Sequence, residues 1–290
     1  MKKSPILTVP HIIKNNANLY PEEIALREKK FGIWRTKTWK QCYEEIQFIS
    51  LGLIAKGLKD IKTIGILGNN TPRWVLSEVA IQSLGTVALG LYPDALENEI
   101  LYLLKFAKCR IVFVEDEEQA DKIMSLPNSS KLIELIIFDE PKGMGKYNDS
   151  RLISYRKLIS LGENYKNKHS EKFDELLSKI NEKDICVLCP TSGTTSNPKL
   201  AMISHSALLL HAKAYLKADP KDSTDEYVSV LPLPWILGQT YDIAKWCLSR
   251  MKVNFVEDAD SLFDDLREIG PTFLLFSPRV WEQMVADIKS

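Results

Sequence analysis

Ile61-Lys62-Thr63-Ile64-Gly65-Ile66-Leu67-Gly68-Asn69-Asn70-Thr71-Pro72-Arg73-Trp74-Val75-Leu76 is the stretch on which the fold turns. Its first part, residues 61–67, is largely apolar and β-prone, the pattern of a buried strand. Asn69-Asn70-Thr71-Pro72 is a turn, and Pro72 suits the first turn of a helix that runs to about Leu84. Residues 86–91 are the next strand. Outward from there the pattern repeats, with helices at 97–107 and 117–125 and strands at 110–114 and 132–138. Upstream, Thr38-Trp39 opens a helix to Leu58 whose apolar face is Tyr43, Ile46, Phe48, Ile49, Leu53 and Ile54. Strand and helix in turn, with short connections, predict an α/β fold of mostly parallel sheets flanked by helices.

Residues 140–184 interrupt this rhythm. They are rich in Lys, Glu, Asn, Ser and Gly, carry helical patterns near 154–161 and 170–180, and read as a surface excursion. The alternation then resumes with a strand around Val187 and helices at 205–216, 241–250, 260–269 and 278–288. Strands are expected at 227–231, 253–256 and 272–276. This divides the chain into an α/β unit over 1–184 and the start of a second over 185–290. There is no internal repeat and no low-complexity tract.

Chemistry concentrates in one short loop. Ile185-Cys186-Val187-Leu188 before it and Leu200-Ala201-Met202-Ile203 after it are both apolar and extended, so Thr191-Ser192-Gly193-Thr194-Thr195-Ser196-Asn197-Pro198-Lys199 joins strand to strand. Gly193 lets the backbone approach a ligand, so that successive N–H groups converge on phosphate oxygens. Ser192, Thr194, Thr195 and Ser196 add hydroxyls, Lys199 adds a point charge, and a threonine hydroxyl is a fair Mg²⁺ ligand. Walker spacing fails, because Pro198 and Leu200 replace the second glycine and the Ser/Thr and no helix follows. Gly65-Ile66-Leu67-Gly68 is only a fragment of the dinucleotide fingerprint. On composition alone a solvated Ser/Thr/Asn/Pro turn is the competing reading.

Composition bounds the partners. With 290 residues, 45% of them hydrophobic, the chain fills real cores. Its 38 basic and 38 acidic residues cancel, which leaves no basic excess for nucleic acid. No run reaches the roughly 18 apolar residues that span a bilayer, and the apolar stretch after Met1-Lys2-Lys3 is broken by Pro5, Pro10 and His11. Cys42, Cys109, Cys186, Cys189 and Cys247 are scattered and odd in number, as in a reducing compartment. The chain therefore reads as cytoplasmic, with at most peripheral membrane contact. Cys186-x-x-Cys189 lacks a second pair at zinc spacing and reads as strand packing. The acidic run Glu257-Asp258-Ala259-Asp260, with Asp264-Asp265, reads as a helix N-terminus rather than a metal cluster.

The loop from Thr191 to Lys199, followed by Ser204-His205, closely resembles the signature of the adenylate-forming, AMP-binding synthetases. The stretch from Leu26 to Trp34 with Thr38-Trp39, Leu231-Pro232-Leu233-Pro234-Trp235, and Ser277-Pro278-Arg279-Val280-Trp281-Glu282 are similar to the long-chain acyl-CoA synthetase branch. The similarity runs from about residue 20 to the C-terminus apart from a stretch around 140–180. Ser196 and Leu200 depart from the family loop, where glycine is usual at both positions.

The resemblance implies ATP-dependent activation of a carboxylic, fatty acid to an acyl-adenylate, then transfer to coenzyme A as a thioester. Thr191, Ser192, Gly193, Thr194, Thr195, Ser196 and Lys199 would hold the ATP phosphates, with Thr194 or Thr195 on Mg²⁺. Trp235 would gate the acyl pocket, or be a core tryptophan. Gly238 would keep the channel open, or serve a helix entry. His205 is a capping or surface histidine at the end of the loop's exit strand. The family's adenine, ribose and catalytic-lysine segments and its C-terminal lid domain do not occur before Ser290. The resemblance therefore implies an N-terminal portion, completed in cis or in trans by the missing part, with no complete catalytic set of its own. The alternative is a binding or assembly module that retains the fold.

Overall fold

β3 (Thr63–Leu67) is buried at every position, and the helix Pro72–Ser83 that follows it is buried everywhere except at Arg73. The computed structural model that shows this describes residues 8–57, 61–191 and 198–289. Thr71 caps that helix, its Oγ1 accepting the Trp74 N–H at 3.1 Å, while Pro72 occupies the first turn where no N–H is needed. In chain order the other strands are β1 (Ile24–Lys30), β2 (Ile33–Thr38), β4 (Val87–Leu91), β5 (Ile111–Val114), β6 (Leu135–Phe138), β7 (Leu152–Ser154), β8 (Ile185–Thr191), β9 (Lys199–Ser204), β10 (Glu226–Val228) and β11 (Lys252–Phe255).

Two sheets result. The larger has the order β7-β6-β5-β3-β4-β8-β9, parallel throughout except for the antiparallel β8–β9 hairpin at one edge. The smaller has the order β10-β11-β1-β2, with β1 and β2 antiparallel and the other pairs parallel. Alternate residues of the larger sheet feed two cores. Ile64, Ile66, Ile111, Phe113 and Cys186 join a core shared with the smaller sheet. Leu67, Leu89, Val112, Val114 and Leu188 pack on the other side, beneath the helices Glu97–Phe106 and Glu117–Ser125. Trp39 stacks on Trp246 at 4.6 Å, and the Trp246 indole N–H reaches the Ala25 carbonyl at 3.1 Å, tying the small sheet to the helices between.

Three expectations change. Residues 140–184 are not a surface excursion: they supply edge strand β7 and the helix Tyr155–Lys168, with Tyr155, Leu158, Phe173, Leu177 and Ile180 buried. That helix lies against Trp39–Ala55 at glycine contacts; a Cβ on Gly52 would stand 2.4 Å from the Leu158 carbonyl oxygen. Its few buried residues, Tyr155, Leu158 and Gly162, share one face, and the polar majority around them gave the segment the composition of a surface stretch. Residue 184 is not a boundary between sheets either, since each sheet draws strands from both sides of it. No strand forms at 272–276. In addition, the helix Val9–Leu19 and the β1–β2 hairpin, turned at Phe31 and Gly32 with φ of 55° and 72°, are elements the sequence reading did not name.

Candidate functional site

The chemical loop sits at the C-terminal end of a parallel strand, where open α/β sheets place their ligands. β8 leads in and β9 leads out in antiparallel register, Thr191 opposite Lys199 and Pro190 opposite Leu200. Ser192, Gly193, Thr194, Thr195 and Ser196 lie outside the described residues. At the neck Thr191 and Lys199 are both exposed, and Thr191 Oγ1 donates to the Lys199 carbonyl at 3.3 Å. The Thr191 hydroxyl thus closes the neck of the loop, and the Lys199 side chain is exposed at its exit as a point charge suited to an anion. No helix begins at Lys199; the next one, His205–Ala218, starts only after β9. Leu200, opposite Pro190, is half-buried against the core beneath the helices Glu97–Phe106 and Glu117–Ser125.

Pro190 is tolerated in β8 because its pairing with β4 is confined to Ala88–Val187 and Leu89–Leu188. Cys186 and Cys189 are buried in the same strand as free thiols. Burial pushes both thiols up, Cys189 to about 12, so neither is a reactive thiolate. His205 is neither a cap nor on the surface. Ser204 caps the helix, its Oγ accepting from the Ala207 N–H, while His205 is buried and burial pushes it down to about 4.

Beside the loop runs the segment from Leu231 to Gly238. A Cβ on Gly90 of β4 would stand 2.7 Å from the Pro234 Cα, so the segment crosses the sheet directly over β4, the neighbour of β8. Asn70 grips it: its amide nitrogen donates to the Leu231 carbonyl at 2.7 Å and to Ser229 Oγ at 2.9 Å, and its oxygen accepts the Leu233 N–H at 3.1 Å. Gly238 has a packing reason of its own, since a Cβ there would stand 2.3 Å from the Pro232 carbonyl oxygen. That close approach accounts for a glycine at 238 by packing. Trp235 is not a core residue: it is 42% exposed, at the rim of this knot.

Beneath the knot lies a polar cluster that sequence reading missed. Glu78, 1% exposed, accepts N–H bonds from Trp74 at 3.3 Å, Gln82 at 3.0 Å and Gln239 at 2.9 Å. Burial pushes its carboxyl up to about 7, against the pull of those donors. Gln239 opens a π-helical turn, Gln239–Lys245, whose residues are all buried. Within it Asp242 is pushed up to about 8 by burial and by the nearby Glu78. The available signal was the charge of Glu78 inside the apolar run Val75-Leu76-Ser77-Glu78-Val79-Ala80-Ile81.

Other motifs resolve as structure. A Cβ on Gly68 would meet that of Glu115 at 2.8 Å, and Glu115 accepts the Asn69 N–H at 2.7 Å. A carboxylate therefore occupies the place where a dinucleotide fold receives phosphate. The acidic run ties a helix to the β1–β2 hairpin. Buried Asp265 takes Lys29 at 2.7 Å and Glu257 takes the Gly32 N–H at 2.9 Å. Among the described residues no group of His, Cys, Asp or Glu is placed to hold a metal, and no helix is long and apolar enough to cross a membrane.

Residues 13–290 match the family model described as AMP-binding enzyme. The chain is 28% identical over 99% of its length to Long-chain-fatty-acid--CoA ligase ACSBG2 of Xenopus laevis, of which it covers 39%. It is 30% identical over 98% of its length to Long-chain-fatty-acid--CoA ligase ACSBG2 of Homo sapiens, of which it covers 42%. The chain thus spans about two fifths of the length of these relatives. Among solved structures it is similar in fold to the anthranilate CoA ligase AuaEII in complex with anthranoyl-AMP. There the TM-score is 0.76 at 20% identity, over 94% of this chain and 50% of that one.

Proposed function

The chain belongs to the AMP-binding enzyme family, and from that premise we propose that it takes part in ATP-dependent activation of a fatty acid to an acyl-adenylate and then an acyl-CoA thioester. The observation that carries this reading is the strand-to-strand loop at the C-terminal end of β8, with Lys199 exposed at its exit. In the first half-reaction a carboxylate oxygen attacks the α-phosphorus of ATP and pyrophosphate leaves. In the second, the thiol of coenzyme A attacks the acyl carbon and AMP leaves.

The loop residues act here by positioning and by neutralising charge. Lys199 and Thr191, with Ser192, Gly193, Thr194, Thr195 and Ser196, bind the β- and γ-phosphates. Mg²⁺, held by Thr194 or Thr195, supplies further neutralisation of the triphosphate. Trp235, exposed beside β4 and β8, bounds the pocket for the acyl chain. The names of the two curated relatives point to a long-chain acid as the substrate.

Calorimetric titration of the chain with Mg²⁺-ATP, for the wild type and for Lys199→Ala, tests the reading. Loss of one phosphate-binding charge weakens binding by roughly ten-fold or more. Equal affinities would remove Lys199 from the site.

A further inference from the structure

Glu78 lies deep in the molecule, and packing alone does not account for it. Burying a carboxyl is costly, and an apolar side chain of similar size would fill the same space at lower cost. What an ionised glutamate offers is two oxygens that both accept, and the site presents three N–H donors. Two of them, from Trp74 and Gln82, sit four residues away on the same helix and hold the carboxyl still. The third comes from Gln239, remote in sequence, whose amide nitrogen also donates to the Leu233 carbonyl at 2.8 Å. The Gln239 N–H in turn donates to the Trp235 carbonyl at 3.0 Å. A continuous path of hydrogen bonds thus runs from the helix Pro72–Ser83 through Glu78 and Gln239 to the backbone on either side of Pro234. With Asn70 holding Leu231 and Leu233, the segment is fixed at three residues while the Trp235 side chain stands partly exposed.

We propose that Glu78 is a positioning residue for acyl selection, holding Leu233 and Trp235 in one arrangement through Gln239 so that the indole bounds the acyl pocket at a fixed place. The proposal rests on the reading of Trp235 as a wall of that pocket. Glu78→Gln puts an NH₂ group among donors and breaks the path at one end; Gln239→Leu breaks it at the other. Trp74→Phe removes one donor to Glu78 and leaves the path to Leu233 intact.

The experiment is fluorine NMR of the chain labelled with fluorotryptophan, the Trp235 resonance being assigned by Trp235→Phe. It is combined with titrations of palmitate and octanoate. In Glu78→Gln and in Gln239→Leu the Trp235 resonance moves or splits, and the ratio of palmitate to octanoate affinity changes roughly five- to ten-fold. In Trp74→Phe both stay as in the wild type. A Trp235 resonance unmoved in both path variants overturns the proposal, and if Glu78→Gln does not fold, Gln239→Leu alone decides it. A moved resonance with an unchanged affinity ratio overturns acyl selection by removing Trp235 from the pocket, while ATP binding through Lys199 remains a separate test.

Discussion

Gly90 and Pro234 leave no room for a side-chain carbon between them: a Cβ on Gly90 would stand 2.7 Å from the Pro234 Cα and 3.1 Å from its Cβ. Strand β4 and the segment carrying Trp235 therefore touch backbone to backbone, which holds that segment against the sheet next to the hairpin of Thr191 and Lys199.

Gly90→Ala forces this contact apart. The variant loses about 1–3 kcal/mol in urea unfolding, the usual cost of overpacking. Gly145→Ala, where a Cβ meets nothing within 4 Å, stays within about 0.5 kcal/mol of the wild type.

Glu78 makes stability depend on pH in a definite direction. Its folded value is raised from an ordinary 4.5 to about 7, so between those values the folded state holds the proton that the unfolded state has lost. The contribution is fully present below 4.5 and is lost as pH rises through 7. Relative to the wild type, Glu78→Gln therefore gains on the order of 3 kcal/mol between pH 4.5 and 8. The check is urea unfolding of both proteins across that range; a difference independent of pH would deny the titration.

His205 works with the opposite slope. Its folded value is lowered from 6.5 to about 4, so the unfolded chain takes up the proton first as pH falls. The contribution is present above 6.5 and is lost on the way down to 4. His205→Gln, which cannot titrate, loses less stability than the wild type over that window, again on the order of 3 kcal/mol. Unfolding at pH 4.5 and at pH 7 measures it.

All five cysteines are buried and free, with thiols pushed up by burial. The native protein therefore reacts slowly with Ellman's reagent at pH 8, while the urea-unfolded chain yields all five thiols promptly. Rapid reaction of two thiols in the native state would reveal an exposed Cys186–Cys189 pair.

Much of the larger sheet was legible because its strands are short apolar runs separated by helical periods, and those patterns are local. Pro72 and Thr71 marked a helix start that the structure places at the same residue. The hairpin setting of the loop was legible for the same reason, from two apolar runs flanking polar residues. Of the smaller sheet, β10 and β11 answer to the strands expected at 227–231 and 253–256, whereas β1 and β2 were not legible. β1 and β2 are rich in charge, because Lys29, Glu28 and Arg35 lie on half-exposed strands, and β1 pairs with β11 across more than 220 intervening residues. In the segment 140–184 the helical patterns were legible but their burial was not, because a narrow apolar face reads as surface until its partner helix is seen.

By itself, the sequence determined the α/β alternation, the position of the Thr191–Lys199 loop between two extended segments, and membership of the AMP-binding enzyme family. Local periodicity and a contiguous motif carry that information. Only the tertiary structure decided that Glu78 and Gln239, 161 residues apart, share a hydrogen bond at 2.9 Å and brace the segment of Trp235. It also showed that Gly90 and Gly238 are close-approach sites. Whether a buried polar group is satisfied, or a missing side chain is required, depends on which backbone arrives from elsewhere in the chain, and no local pattern encodes that arrival.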